Sequence, residues 1–162
     1  MRWIRHLVSG ARVRRWFPRA TLEAIHKAIA AGEHRHTGQV CFAIERSLPL
    51  RDLARNRSVR ERAQEVFALL RVWDTHANSG VLIYVLLVER AIEIVADRGI
   101  AARVEQAEWQ AVCDRMRERF AAGDYEPGAI EGVTAVSDIL ARHFPADGSK
   151  RENELSDAPV ML

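Results

Sequence analysis

Two short pairs in this chain place a carboxylate beside a guanidinium: Glu45-Arg46 and Glu89-Arg90. Carboxylates hold hard cations such as calcium or magnesium through oxygen, and arginines grip phosphate oxygens in a bidentate fork. The four side chains together are therefore a candidate ligand or metal edge. Two carboxylates are few for such an ion, unless backbone carbonyls and water complete the shell. An ion pair of Glu45 or Glu89 with neighbouring arginines is the plainer reading of the same residues. A second group, Thr37, Asn78, Ser79 and Asp97, is expected to cluster where the start of one strand meets the end of its antiparallel neighbour. Asn78 there fits a turn cap as well as a ligand.

Other chemistry is weaker. Cys113 and Arg119 satisfy the cysteine-five-residues-arginine spacing of thiol phosphatases. That reaction needs a glycine-rich loop and a helix N-terminus to cradle phosphate and lower the thiol pKa. The stretch contains no glycine, so Cys113 reads as core. His34 and His36 are two apart on a helix exit and point different ways, which reads as a solvated helix end rather than a metal site. The remaining histidines are scattered, and no Ser-His-Asp arrangement can be argued.

The elements that must position these residues follow from residue type and period. Gln39 to Glu45 (QVCFAIE) reads as a strand, with Val40, Phe42 and Ile44 on one face and Cys41 and Ala43 on the other. Residues 79 to 99 (SGVLIYVLLVERAIEIVADRG) hold the most apolar run, but only eight apolar residues in a row, Val81 to Val88. A membrane span needs about 20. The run reads instead as two antiparallel strands, 81–88 and 91–96, with a tight turn at Glu89-Arg90. Ser58 and Glu61 form a capping-box pattern ahead of a helix carrying Val59, Ala63, Val66, Phe67 and Leu70. Three more helices are expected. One, at 18–34, buries Leu22, Ile25 and Ile29; another, at 105–121, buries Trp109, Val112, Cys113, Met116 and Phe120. The last, at 125–143, follows an Asp124 cap. The predicted fold is an α/β three-layer α/β/α sandwich in the order α-β-α-β-β-α-α. Its small mixed sheet has a parallel βαβ unit followed by an antiparallel hairpin.

Around this domain, residues 1–17 read as a basic lead-in and residues 146–162, polar and uneven, as a disordered tail. Residues 1–57 hold twelve basic and four acidic residues, a charge of +8, against −6 for the remainder. Residues 1–19 carry six arginines and no acid, the pattern of a helix lying on an anionic membrane, of a helix packed on the domain, or of a disordered lead-in. Nucleic acid is a poor fit because no aromatic platform accompanies the charge. Cys41 and Cys113 in apolar patterns suggest free thiols in a reducing compartment. With no secretory pattern at the start, a cytoplasmic location is the expectation.

The order of elements, Thr37-Gly38 after the first long helix, Asn78-Ser79-Gly80-Val81-Leu82, and Phe120 before Gly123-Asp124-Tyr125 together resemble the TPM-domain family over residues 18–145. That family includes a chloroplast photosystem II repair protein and many bacterial proteins of unknown role. The resemblance implies a protein-interaction module with a protein partner, at or near the inner membrane. Members described as calcium binders or acid phosphatases imply the alternative, a metal-assisted phosphatase with calcium or magnesium. The chain departs from the family at the acidic positions. Asn78-Ser79-Gly80 stands for Asp-Asn-Gly, Val88-Glu89-Arg90 for Asp-Asp-Arg, and Ala96-Asp97-Arg98-Gly99 for a glycine-rich strand end, so metal binding is not simply carried over.

Overall fold

The structure, a computed structural model, describes residues 13–148 and 152–162. Its elements are α1 (Val13–Trp16), α2 (Arg19–Glu33), β1 (Gln39–Glu45), α3 (Leu50–Ala54), α4 (Val59–Leu69), β2 (Gly80–Leu86), β3 (Ala91–Ala96), α5 (Arg98–Ala101), α6 (Gln106–Ala122), α7 (Tyr125–His143) and β4 (Val160–Met161). The four strands form one mixed sheet in the order β3-β2-β1-β4. β1 and β2 run parallel from Gln39 opposite Gly80 to Glu45 opposite Leu86. β2 and β3 run antiparallel from Val81 opposite Ala96 to Leu86 opposite Ala91. The α/β sandwich and its βαβ unit are as the sequence predicts. The short helices α1, α3 and α5 and the strand β4 are additions to the expected order.

Strand parity sorts the core into two halves. Val40, Phe42, Ile44, Val81, Ile83 and Val85 face α2, α6 and α7, while Cys41, Ala43, Leu82, Tyr84 and Leu86 face α4. Every residue of β1 and β2 is buried because helices cover both faces. α6 buries the five side chains its spacing predicts. The capping box of α4 is formed in full: Ser58 Oγ accepts from Glu61 N, and a Glu61 carboxylate oxygen accepts from Ser58 N at 2.8 Å.

Four expectations change. The hairpin connection spans four residues, Leu87 to Arg90, because Leu87 N and Val88 N donate to Glu45 O and Arg46 O and so extend the pairing with β1. Arg90 closes the turn in the left-handed region at φ 51°. Asp124 precedes α7 without a side-chain cap bond; its carboxylate lies 3.6 Å from Arg119 Nη1 instead. Phe17, assigned to the lead-in, is buried edge-on against Phe120 and Tyr125, so the domain begins before residue 18. The proposed membrane-facing segment, residues 1–19, falls mainly outside the described residues.

The fourth change is at the C-terminus. Val160 and Met161 pair parallel with Ala43 and Ile44, and Leu155 and Val160 pack on the α4-side core. The outer edge of β1 offers unpaired N–H and C=O groups, and these two apolar side chains bring the chain back to it. Among the described residues no helix is long and apolar enough to cross a membrane.

Candidate functional site

The two ends of the parallel strands carry different chemistry. At the carboxyl end Glu45 is buried, because its position at the end of β1 shares the α4-facing side with Cys41 and Ala43. Its Oε2 accepts from Arg62 Nε at 2.9 Å and from the Tyr84 hydroxyl at 2.5 Å, and its Oε1 from Arg62 Nη2 at 2.7 Å. Arg62 also donates to Glu65 at 2.7 Å and lies 3.8 Å from the fully buried Asp52. Arg57 joins Glu65 at 2.6 Å and Asp52 at 3.3 Å, and Arg51 lies 3.2 Å from Glu65. Three carboxylates thus face three guanidiniums. The Glu45 bonds hold the Arg62 pKa above its usual value, and burial followed by Glu45 pushes the Tyr84 phenol up. Burial works to raise Glu65, but Arg62, Arg57 and Arg51 outweigh it and leave the carboxyl below its usual range.

Glu45 therefore has both oxygens engaged by protein donors. Its loop companions lie where strand order predicts: Arg46 and Glu89 are half-buried and Arg90 is exposed on the adjoining turn. Among the described residues, no group of three His, Cys, Asp or Glu side chains is placed to hold a metal ion. Calcium or magnesium at Glu45 would have to displace Arg62 and Tyr84, leaving two buried donors without partners. The residues present do not fit a metal there.

The amino end gathers the second predicted group. Asp97 N donates to Gly80 O at 2.8 Å, which sets Asp97 beside the Asn78-Ser79 turn. Arg98 Nε donates to Asn78 Oδ1 at 3.2 Å, and Asp97 Oδ1 caps α5 by accepting from Arg98 N at 2.7 Å. Asp97 Oδ2, however, is buried without a hydrogen-bond partner. Asn78 takes the left-handed conformation at φ 50°, as a turn residue of its type can. Ser79 is held by Thr75, whose hydroxyl accepts from Ser79 N at 2.9 Å. The structure brings Asn78, Ser79 and Asp97 together. Thr37 sits one strand over, in a cavity with Glu33 and His36.

The sequence reading missed Arg62 and His36. Arg62 lies among Val59, Ala63 and Val66 on the buried stripe of α4, and a lone arginine at such a position was the available signal. His36 is only 4% exposed rather than solvated, because Pro145 crosses beside it and Thr37 N donates to Phe144 O. His34 is exposed as expected. Cys113 is a buried free thiol in mid-helix, pushed up to about 12 chiefly by burial, and Cys41 is pushed up to about 11. Neither has the depressed pKa of a nucleophile.

None of the curated proteins matches the chain. Among solved structures, the BA42 protein of the psychrophilic bacterium Bizionia argentinensis is similar at 25% identity and a TM-score of 0.77. The match covers 88% of this chain and 93% of that one. The N-terminal domain of a P. gingivalis protein shares the fold at 18% identity and a TM-score of 0.65, over 91% of this chain and 92% of that one. The family model described as the TPM domain matches residues 15–139, from Arg15 beside the buried Phe17 through most of α7. With that match laid over the sandwich and its hairpin, the chain belongs to the TPM-domain family.

Proposed function

We propose that this chain is a non-catalytic protein-interaction module of the TPM type. The carrying observation is an exposed cluster where α4 ends. Leu69 is 62% exposed and Trp73 48%, and the Arg71 guanidinium lies 6.0 Å from the Trp73 ring centre. Tryptophan and arginine are the side chains most enriched where binding energy concentrates. A single exposed apolar residue needs no explanation, but two of them with an arginine against the tryptophan ring, all within five residues, give a partner an anchor. The setting we propose is cytoplasmic, with the basic N-terminal third able to approach an anionic membrane.

The test compares wild type with Leu69→Ser/Trp73→Ala in affinity capture from native lysate. The module reading expects a defined species retained by wild type and lost by the variant, at unchanged Tm. Recovery of nothing that depends on these two positions would remove it.

A second reading, metal-assisted phosphatase-like hydrolysis, draws support from one observation: the unpartnered Asp97 Oδ2 beside Asn78 and Ser79. Phosphatase assays with added calcium, magnesium or manganese on wild type and Asp97→Asn test it. Metal-dependent turnover that falls at least tenfold in the variant supports hydrolysis, and activity indifferent to the substitution ends it.

A further inference from the structure

The end of α2, the start of β1, the stretch after α7 and the C-terminal segment enclose a cavity of about 350 Å³. Glu33, His36, Thr37, Asp147, Glu152 and Asn153 are among its walls, and no lysine or arginine is among the described lining residues. Asp147, Glu152 and Asn153 lie beyond residues 15–139, the stretch matched by the family, so this enclosure is not built from the matched domain alone.

Two of its wall residues, Glu33 and His36, each carry a buried acceptor in need of a donor. His36 Nδ1 lies 3.1 Å from Gly38 O, and a carbonyl can only accept, so Nδ1 carries the hydrogen and Nε2 the lone pair. Burial holds the ring down to about 4, against a weaker upward effect of the Gly38 bond, so the imidazole is neutral. Its Nε2 is buried and has no partner, on a side chain only 4% exposed. Glu33 Oε1 is likewise buried without a partner. The Glu33 carboxyl is raised to about 7 by burial and then by Asp157, which shares a hydrogen bond with it. Asp157 is steadied in turn by Asn153, whose Nδ2 donates to its Oδ1 at 2.6 Å.

An imidazole lone pair and a carboxylate oxygen, both desolvated and both unmatched, ask for N–H donors on a positive group. A metal is disfavoured, because no three ligating side chains are placed for one among the described residues. The volume falls within the range of small-molecule sites, about 300–1,000 Å³. We propose that this cavity binds a small organic cation bearing N–H donors, with a primary ammonium or guanidinium head held between His36 Nε2 and the Glu33–Asp157 carboxyl pair.

The full chain is titrated with agmatine and with n-butylammonium chloride, and tetramethylammonium chloride, which has charge but no N–H, serves as the control. Binding is read by calorimetry and by the His36 ring ¹⁵N shifts at constant ionic strength. The expected result is saturable binding of at least one N–H cation, a move of the Nε2 resonance on saturation, and at least tenfold weaker binding of that cation in Glu33→Gln. Should that variant fail to fold, Asp157→Asn is expected to show the same loss. Equal response to tetramethylammonium, no saturable binding of either N–H cation, or affinity unchanged in a folded variant would overturn the proposal.

Discussion

The two ends of this sheet are built from similar residues and put them to opposite uses. At the carboxyl end of β1 and β2, Glu45 meets Arg62 and Tyr84 with both oxygens bonded, and Asp52 and Glu65 share the surrounding arginines; Asp52 Oδ2 makes no hydrogen bond but lies 3.8 Å from Arg62 Nη1. At the amino end, His36 Nε2, Glu33 Oε1 and Asp97 Oδ2 are buried with no hydrogen-bond partner. An unmatched buried polar group costs about 1–3 kcal/mol, so a fold retains one mainly where something else makes use of it. Charge at the end of a strand is therefore no guide to a site. The proposed cavity is marked instead by buried acceptors, on Glu33 and His36, that no protein donor or cation meets.

The largest expected break of this contrast is Arg62→Leu. It strands Glu45 in the core, and chemical denaturation should show a loss of about 3–5 kcal/mol. Gly80→Ala sharpens the other side: a Cβ there would stand 2.0 Å from Val72 O, which is backbone and cannot swing away. A loss of about 3 kcal/mol is expected, with the Asn78–Asp97 turn disturbed in amide spectra. Tyr84→Phe removes one donor from a buried carboxylate and should cost about 2 kcal/mol.

The smallest effects are pH-dependent and carry opposite signs. Glu33 is raised to about 7 in the fold from an ordinary value of 4.5, so its contribution is fully present below pH 4.5 and is lost as pH rises through 7. His36 is lowered to about 4 from 6.5, so its contribution is present above pH 6.5 and is lost as pH falls through 4. Tm measured from pH 4 to 8 should therefore decline less on the alkaline side in Glu33→Gln and less on the acid side in His36→Asn. After allowance for the half-exposure of Glu33, its change is about 1 kcal/mol. Parallel curves for both variants and wild type would remove the assigned protonation states.

Local patterns carried much of the fold. The five buried side chains of α6, the Ser58–Glu61 box and the two faces of β1 are each set by neighbours within a few positions, where period and capping chemistry operate. The grouping of Asn78, Ser79 and Asp97 was legible for a related reason, since an antiparallel hairpin forces its ends together. The Glu45 network was not legible, because it joins residues 17 and 39 positions apart and only the tertiary fold chooses which arginine arrives. His36 looked solvated because its immediate neighbours are polar; the chain that covers it comes from residues 144 and 145. The strand at Val160–Met161 is too short to show a period of its own.

Glu45 is held by the protein rather than kept for a ligand. A double-mutant cycle with Glu45→Gln, Arg62→Leu and the pair, read by urea unfolding, measures this directly. A coupling of at least about 2 kcal/mol is expected, with the double variant more stable than Arg62→Leu alone. Additive losses, with no recovery in the double variant, would contradict it.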